Sequence, residues 1–156
     1  MSVANDFRTA RIAHLDLRSY VLVKPSTSVA EVLNRMRENK VSAVLVESDD
    51  GKLAGIFTER DALMKVVDDP STWTLAIDQL MTTDPQTVSS EDSVGDALQL
   101  MNDGHYRNAP VLDADGRIVG NVEHHLMIRF LTDRFPREIY NLPPDPEQIP
   151  RTKEGA

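Results

Sequence analysis

The sequence predicts an α+β fold in which a small β-α-β-β-α unit occurs twice in tandem. Three observations carry that prediction: an internal repeat, two helices of matching apolar period, and two Asp-Gly turns between apolar runs. Displacing the chain by 65 residues aligns 23–70 with 88–135 without a gap and gives ten identities in 48 pairs. About three would arise by chance from ordinary composition. The matches are Val23/Val88, Ser28/Ser93, Val29/Val94, Leu33/Leu98, Met36/Met101, Val46/Val111, Asp50/Asp115, Gly51/Gly116, Gly55/Gly120 and Asp68/Asp133. They fall at caps, core positions and turn glycines. A period of 65 is too long for a solenoid and suits two copies of a small domain.

Each element follows in chain order. The opening residues show no clear period, although Phe7, Ile12, Leu15 and Leu17 suit a short packing helix. Each copy then begins with an extended segment, Tyr20–Val23 or Gln86–Val88. A helix follows, opened by a capping box at Ser28-Val29-Ala30-Glu31 and again at Ser93-Val94-Gly95-Asp96, where hydroxyl and carboxylate satisfy reciprocal orphan donors. Val29, Val32, Leu33 and Met36 keep i, i+3, i+4, i+7 spacing, as do Val94, Ala97, Leu98 and Met101, so each helix has one apolar face. The next strand, Ala43–Val46 or Ala109–Leu112, turns back at Asp50-Gly51 or Asp115-Gly116, a strong hairpin signal. The return strand is Leu53–Phe57 or Ile118–Val122, and a second helix covers about 59–67 and 124–133. Between the copies, Pro70 ends a helix and Trp73 is expected to pack at the junction. Met36, Met64, Met81, Met101 and Met127 read as core filler.

These elements divide the chain into an N-terminal segment (1–15), a first domain (16–70), a linker (71–77), a second domain (78–134) and a tail (135–156). The tail holds Pro136, Pro143, Pro144, Pro146 and Pro150 and cannot be helical throughout. With 17 Lys+Arg against 25 Asp+Glu the net charge is −8, which argues against nucleic acid, whose backbone is held mainly by Lys and Arg. The 156 residues include no cysteine, so disulfides, thiol nucleophiles and thiolate metal sites are excluded. No apolar run approaches the roughly 20 residues that cross a bilayer, and no signal-peptide pattern opens the chain, so a soluble cytoplasmic protein is expected.

Specific residues sit on this frame. Gly55-Ile56-Phe57-Thr58-Glu59-Arg60-Asp61 resembles the Gly-h-h-Thr/Ser-x-x-Asp signature of cystathionine-β-synthase (CBS) domains, h being apolar. Asp78-Gln79-Leu80-Met81-Thr82 resembles the family's Ile-Met-Thr lead-in, and Tyr106-Arg107-Asn108-Ala109-Pro110-Val111 its Tyr-Arg-x-Leu-Pro-Val strand start. The resemblance spans about residues 16–134. It implies two CBS domains packed as a pseudo-two-fold pair, a Bateman module, with small sheets and helices on one face. It also implies an adenine nucleotide (AMP, ADP or ATP) or S-adenosylmethionine in the cleft between domains, and a homodimer. No cofactor or metal is required.

By that resemblance Thr58 contacts phosphate, Asp61 holds the ribose, and Thr87, Val88 and Pro110 line the adenine slot. Gly55 permits close approach to the backbone. Thr58 stands at a strand-to-helix junction, where free amides and the macrodipole favour an anion. The same Thr58-Glu59-Arg60-Asp61 also reads as an N-cap alone, worth about 1 kcal/mol. Arg107 is a candidate phosphate partner from the opposing domain, since guanidinium suits bidentate recognition, or else a surface arginine in a rim ion pair. Thr87, Val88 and Pro110 read equally as sheet core.

The second motif departs from the pattern. Gly120-Asn121-Val122-Glu123-His124-His125-Leu126 puts Glu123 in place of the threonine and Leu126 in place of the aspartate, which predicts one competent site. Glu123 with His124-His125 has no third ligand at metal spacing; these histidines read as exposed, and His14 and His105 as surface or partly packed. No nucleophile elbow, P-loop or zinc motif points to an enzyme. The sequence therefore supports a non-enzymatic sensor that passes its signal to an effector protein. The alternative is a structural or oligomerisation module with a vestigial nucleotide site.

Overall fold

Two sheets form, one around each copy of the repeat, in the computed structural model, which describes residues 3–135. Val21–Val23 (β1), Ala43–Glu47 (β2), Leu53–Thr58 (β3) and Thr82–Thr83 (β4) make the first, in the order β1-β2-β3-β4. Val88–Ser89 (β5), Asn108–Leu112 (β6) and Ile118–Glu123 (β7) make the second, in the order β5-β6-β7. The helices are Val3–Thr9 (α1), Val29–Asn39 (α2), Glu59–Lys65 (α3), Val94–Gly104 (α4) and His124–Arg134 (α5). β1 runs parallel to β2 and β5 to β6. A parallel pair needs a crossover, and α2 and α4 supply it. Each hairpin, β2–β3 and β6–β7, is antiparallel, turning through Gly51 and Gly116 at φ 81° and 76°. The expected α+β tandem is therefore present. From Pro136 onward the proline-rich tail lies outside the described residues.

The apolar faces are buried as their spacing requires: Val29, Val32 and Met36 of α2, and Val94, Ala97 and Met101 of α4. Both helices close on a left-handed residue, Lys40 and His105, whose N–H returns to helix carbonyls. The capping boxes are not equal. At Ser93 the box is complete, with Ser93 N–H donating to Asp96 Oδ2 at 2.9 Å. At Ser28 only the hydroxyl half forms, because the Glu31 carboxylate turns instead to Arg35, four residues along the helix.

The N-terminal segment is less independent than its sequence suggests. Ile12–His14 and Ile77–Gln79 form matching 3-10 turns, and Ile12 and Ile77 are both fully buried. Ile77 belongs to the core of the first copy and Ile12 to that of the second. Val29 N–H donates to Leu75 O and Val94 N–H to Ala10 O, each at 2.9 Å. Further along, β4 pairs with β3 opposite Gly55 and Ile56, while Asn121 N–H donates to Leu17 O at 3.0 Å. Each copy is thus completed by the segment leading into the other. The same offset of 65 relates these contacts, so the repeat reaches back to Ile12.

A third apolar cluster, Ala43, Leu45 and Ile56 with Tyr20 and Ile118 packed on it, joins the copies. The bridge between Lys52 and Arg117, residues separated by the repeat offset, marks the pseudo-two-fold relation. Three expectations need correction. Trp73 is not packed at a junction; it is 48% exposed on the 3-10 turn Pro70–Thr74. Met64 is not core filler, being 77% exposed, whereas Met36, Met101 and Met127 are buried. The helix placed at about 59–67 stops at Lys65.

Candidate functional site

A cavity of about 610 Å³ opens between the copies, inside the roughly 300–1,000 Å³ range of small-molecule sites. The junction of β3 and α3 supplies Thr58, Glu59, Arg60 and Asp61 to its lining. β4 supplies Thr82, and the segment between β4 and β5 supplies Asp84, Pro85 and Gln86, with Asp84 left-handed at φ 46°. Across from these, the end of α4 and the start of β6 add His105, Tyr106, Arg107 and Asn108. Ser42, just before β2, completes the wall with Ile56 and Leu63.

Thr58 and Asp61 are locked to each other. Thr58 N–H and Oγ1 both donate to Asp61 Oδ2, at 3.0 and 3.1 Å, and Asp61 N–H donates to Thr58 Oγ1 at 3.3 Å. The other carboxylate oxygen, Asp61 Oδ1, pairs with Lys65 Nζ at 3.0 Å. Lys65 Nζ also donates to Leu80 O at 2.8 Å, tying the helix to the lead-in of the second copy. The cap and the site are therefore one object. Anion binding by the bare helix start is weaker than the sequence suggests. α3 has only seven residues, and two of its first three amides are engaged, Glu59 N–H by Ser42 O and Asp61 N–H by Thr58 Oγ1. Positive charge comes instead from Arg60 and Arg107, both lining the cavity, both exposed and neither in an ion pair among the described residues.

Of the residues singled out from sequence, the cavity brings together Thr58, Asp61 and Arg107. Gly55, Thr87, Val88 and Pro110 lie outside its lining. Val88 and Pro110 are buried in the second sheet, at β5 and β6. At Gly55 the close approach is made by the lead-in of the second copy: a Cβ there would lie 2.5 Å from Met81 Sδ and 2.7 Å from Thr82 O. At Gly120 it is made by Leu17, whose Cβ would be 2.3 Å away. Sequence reasoning missed Ser42, Asn108 and the Thr82–Gln86 wall. The signal was the Asp84-Pro85 dipeptide, a turn former immediately before a strand.

At the positions related by the repeat these roles are exchanged. Glu123 occupies the position matching Thr58, and Ser42 the position matching Arg107. The two meet directly, Ser42 Oγ donating to Glu123 Oε1 at 2.7 Å. Glu123 is the N-cap residue of α5 but makes no side-chain cap bond. Leu126 packs against the core of the second copy. His124 and His125 are exposed, and no group of three His, Cys, Asp or Glu able to hold a metal occurs among the described residues.

The family model for the CBS domain matches residues 12–68 and again 77–133. A CBS domain-containing protein of Arabidopsis thaliana, CBSCBSPB3, is 35% identical over 109 residues, which cover 69% of this chain but 19% of that protein. The chain thus spans about a fifth of that relative. An uncharacterized 17.7 kDa protein of Acidianus ambivalens is 27% identical over 127 residues, covering 79% of this chain and 74% of the relative. Among solved structures, CBSX2 in complex with AMP superposes with a TM-score of 0.68 at 28% identity, covering 80% of this chain and 98% of that one.

Proposed function

The chain belongs to the CBS-domain family, and on that premise we propose that it is a non-enzymatic sensor of an adenine nucleotide. The observation that carries the reading is the interdomain cavity, whose wall joins Thr58 and Asp61 of one copy to Arg107 of the other. The AMP complex of a similar chain supports an adenosine-containing ligand. In this reading the ribose hydroxyls bond the Asp61 carboxylate and displace Lys65, which keeps its bond to Leu80 O. The phosphate meets Arg107 and Arg60. Binding bridges both copies, so it favours one relative arrangement of the pair; only such differential affinity can transmit a signal. The output passes to an effector protein, and the active unit is a homodimer. Met64 and Val67, exposed on and just after α3, support a covered face there.

Thermal shift against AMP, ADP, ATP, S-adenosylmethionine and guanine nucleotides tests the reading. Saturation at about 100 times Kd adds about 2.7 kcal/mol of stability. Asp61→Ala is expected to abolish the shift while Leu126→Ala, in the opposite cleft, leaves it intact. A flat response to every compound would favour the alternative, a structural module with a vestigial site. Light scattering on the same samples checks the dimer.

A further inference from the structure

Asn108 borders the cavity, and an asparagine amide can face it with either an acceptor oxygen or a donor NH2. Here the direction is set from behind. The main-chain carbonyl of Ser19 can only accept, and it takes a hydrogen from Asn121 Nδ2 at 3.1 Å. The second hydrogen of that nitrogen goes to Asn108 Oδ1 at 2.9 Å. Reversing the Asn121 amide would press its oxygen against the Ser19 carbonyl, which has no hydrogen to give, so that carbonyl fixes the direction of Asn121 and, through it, of Asn108. Asn121 is fully buried. Asn108 Oδ1 is therefore held inward. Its Nδ2 has no partner among the described residues and is not buried. Ser42 is wired in the same way: its one proton goes to the Glu123 carboxylate at 2.7 Å rather than to Asn108 Oδ1 at 3.3 Å, because a charged acceptor binds more strongly.

We propose that Asn121 and Glu123 are positioning residues that fix the hydrogen-bond polarity of the cavity wall, so that Asn108 Nδ2 meets the ligand as a donor and Ser42 Oγ as an acceptor. The arrangement has a cost that a purely structural position would avoid. Asn121 Oδ1 is buried and meets no donor among the described residues, whereas the matching position of the first copy is filled by the apolar Ile56. The inference rests on the nucleotide reading for its ligand but not for its wiring.

Two measurements on the intact chain test it. Side-chain amide exchange, followed by NMR without ligand, is expected to show protected Asn121 NH2 protons and rapidly exchanging Asn108 NH2 protons. The opposite pattern overturns the proposal whether or not any ligand binds. Calorimetric titration with AMP and with adenosine then compares wild type, Asn108→Leu and Asn121→Leu. Asn108→Leu is expected to weaken binding about tenfold, the worth of one good hydrogen bond. Asn121→Leu, which copies the Ile56 solution, is expected to weaken binding without lowering Tm, because Asn108 is free to turn. A loss confined to AMP assigns the acceptor to the phosphate; a loss with both ligands assigns it to the nucleoside, and either supports the proposal. Unchanged affinity in Asn108→Leu overturns it. A wild type that binds neither compound defeats the nucleotide reading, and the exchange pattern still decides the wiring.

Discussion

At the scale of single residues, the two matched glycines are the least replaceable positions the repeat marks out. Their backbone angles are ordinary; what they lack is room. At Gly55 the nearest atoms include a main-chain oxygen, Thr82 O, which cannot step aside without moving β4. At Gly120 the obstacle is the Cβ of Leu17, equally close to its backbone. Gly55→Ala and Gly120→Ala should each cost about 1–3 kcal/mol by overpacking, read as a fall in the midpoint of chemical denaturation. An unchanged midpoint would mean that the lead-ins are not held against the strands. Gly51→Ala meets no obstacle but carries φ 81°, so its smaller loss would be backbone strain of about 1 kcal/mol.

At the scale of elements, the two long helices show how a local rule can be half obeyed. α4 has its full capping box, and the Ser93 hydroxyl, followed by the Ser93 N–H, holds the Asp96 carboxyl below the usual carboxylate range. A carboxyl with a lower pKa in the folded chain stabilises above its unfolded value, near 3.9. That contribution disappears as pH falls through the lower folded value. Ser93→Ala should therefore be destabilised at pH 7, with the gap to wild type narrowing below about pH 3.9. Ser28→Ala loses a hydroxyl cap with no carboxylate partner, about 1 kcal/mol, and its gap should show no such narrowing. Denaturation at pH 7 and pH 3 separates the two; parallel behaviour would contradict the difference in their caps. The pattern Ser28-x-x-Glu31 marks a helix start, and Ser28 caps α2. It could not show that Arg35, one turn later, would compete for Glu31.

At the scale of the whole molecule, what could be read in advance divides along the same line between local and long-range causes. The repeat, both hairpins and every strand but β4 were legible because near neighbours in sequence determine them, and Thr58, Asp61 and Arg107, singled out on a motif, line the cavity. The cavity wall at Thr82–Gln86 and Ser42, and the destination of residues 10–17, were not, because chain crossing places them. A faint trace did exist in Ile12/Ile77 and Leu15/Leu80, identities at the offset of 65 that lie ahead of the gapless alignment. The crossing of the lead-ins has a further consequence. A chain with one copy alone would own a groove and an arm that cannot meet, since each arm docks on the other copy. Two such chains could satisfy both needs only by trading arms. Residues 11–75 expressed alone should accordingly sediment as an exchanged dimer, and a folded monomer would refute this. The tandem is then a dimer made permanent by a covalent tether. Because one chain carries both halves, they need not be alike, and one presents Thr58 and Asp61 where the other presents Glu123 and Leu126.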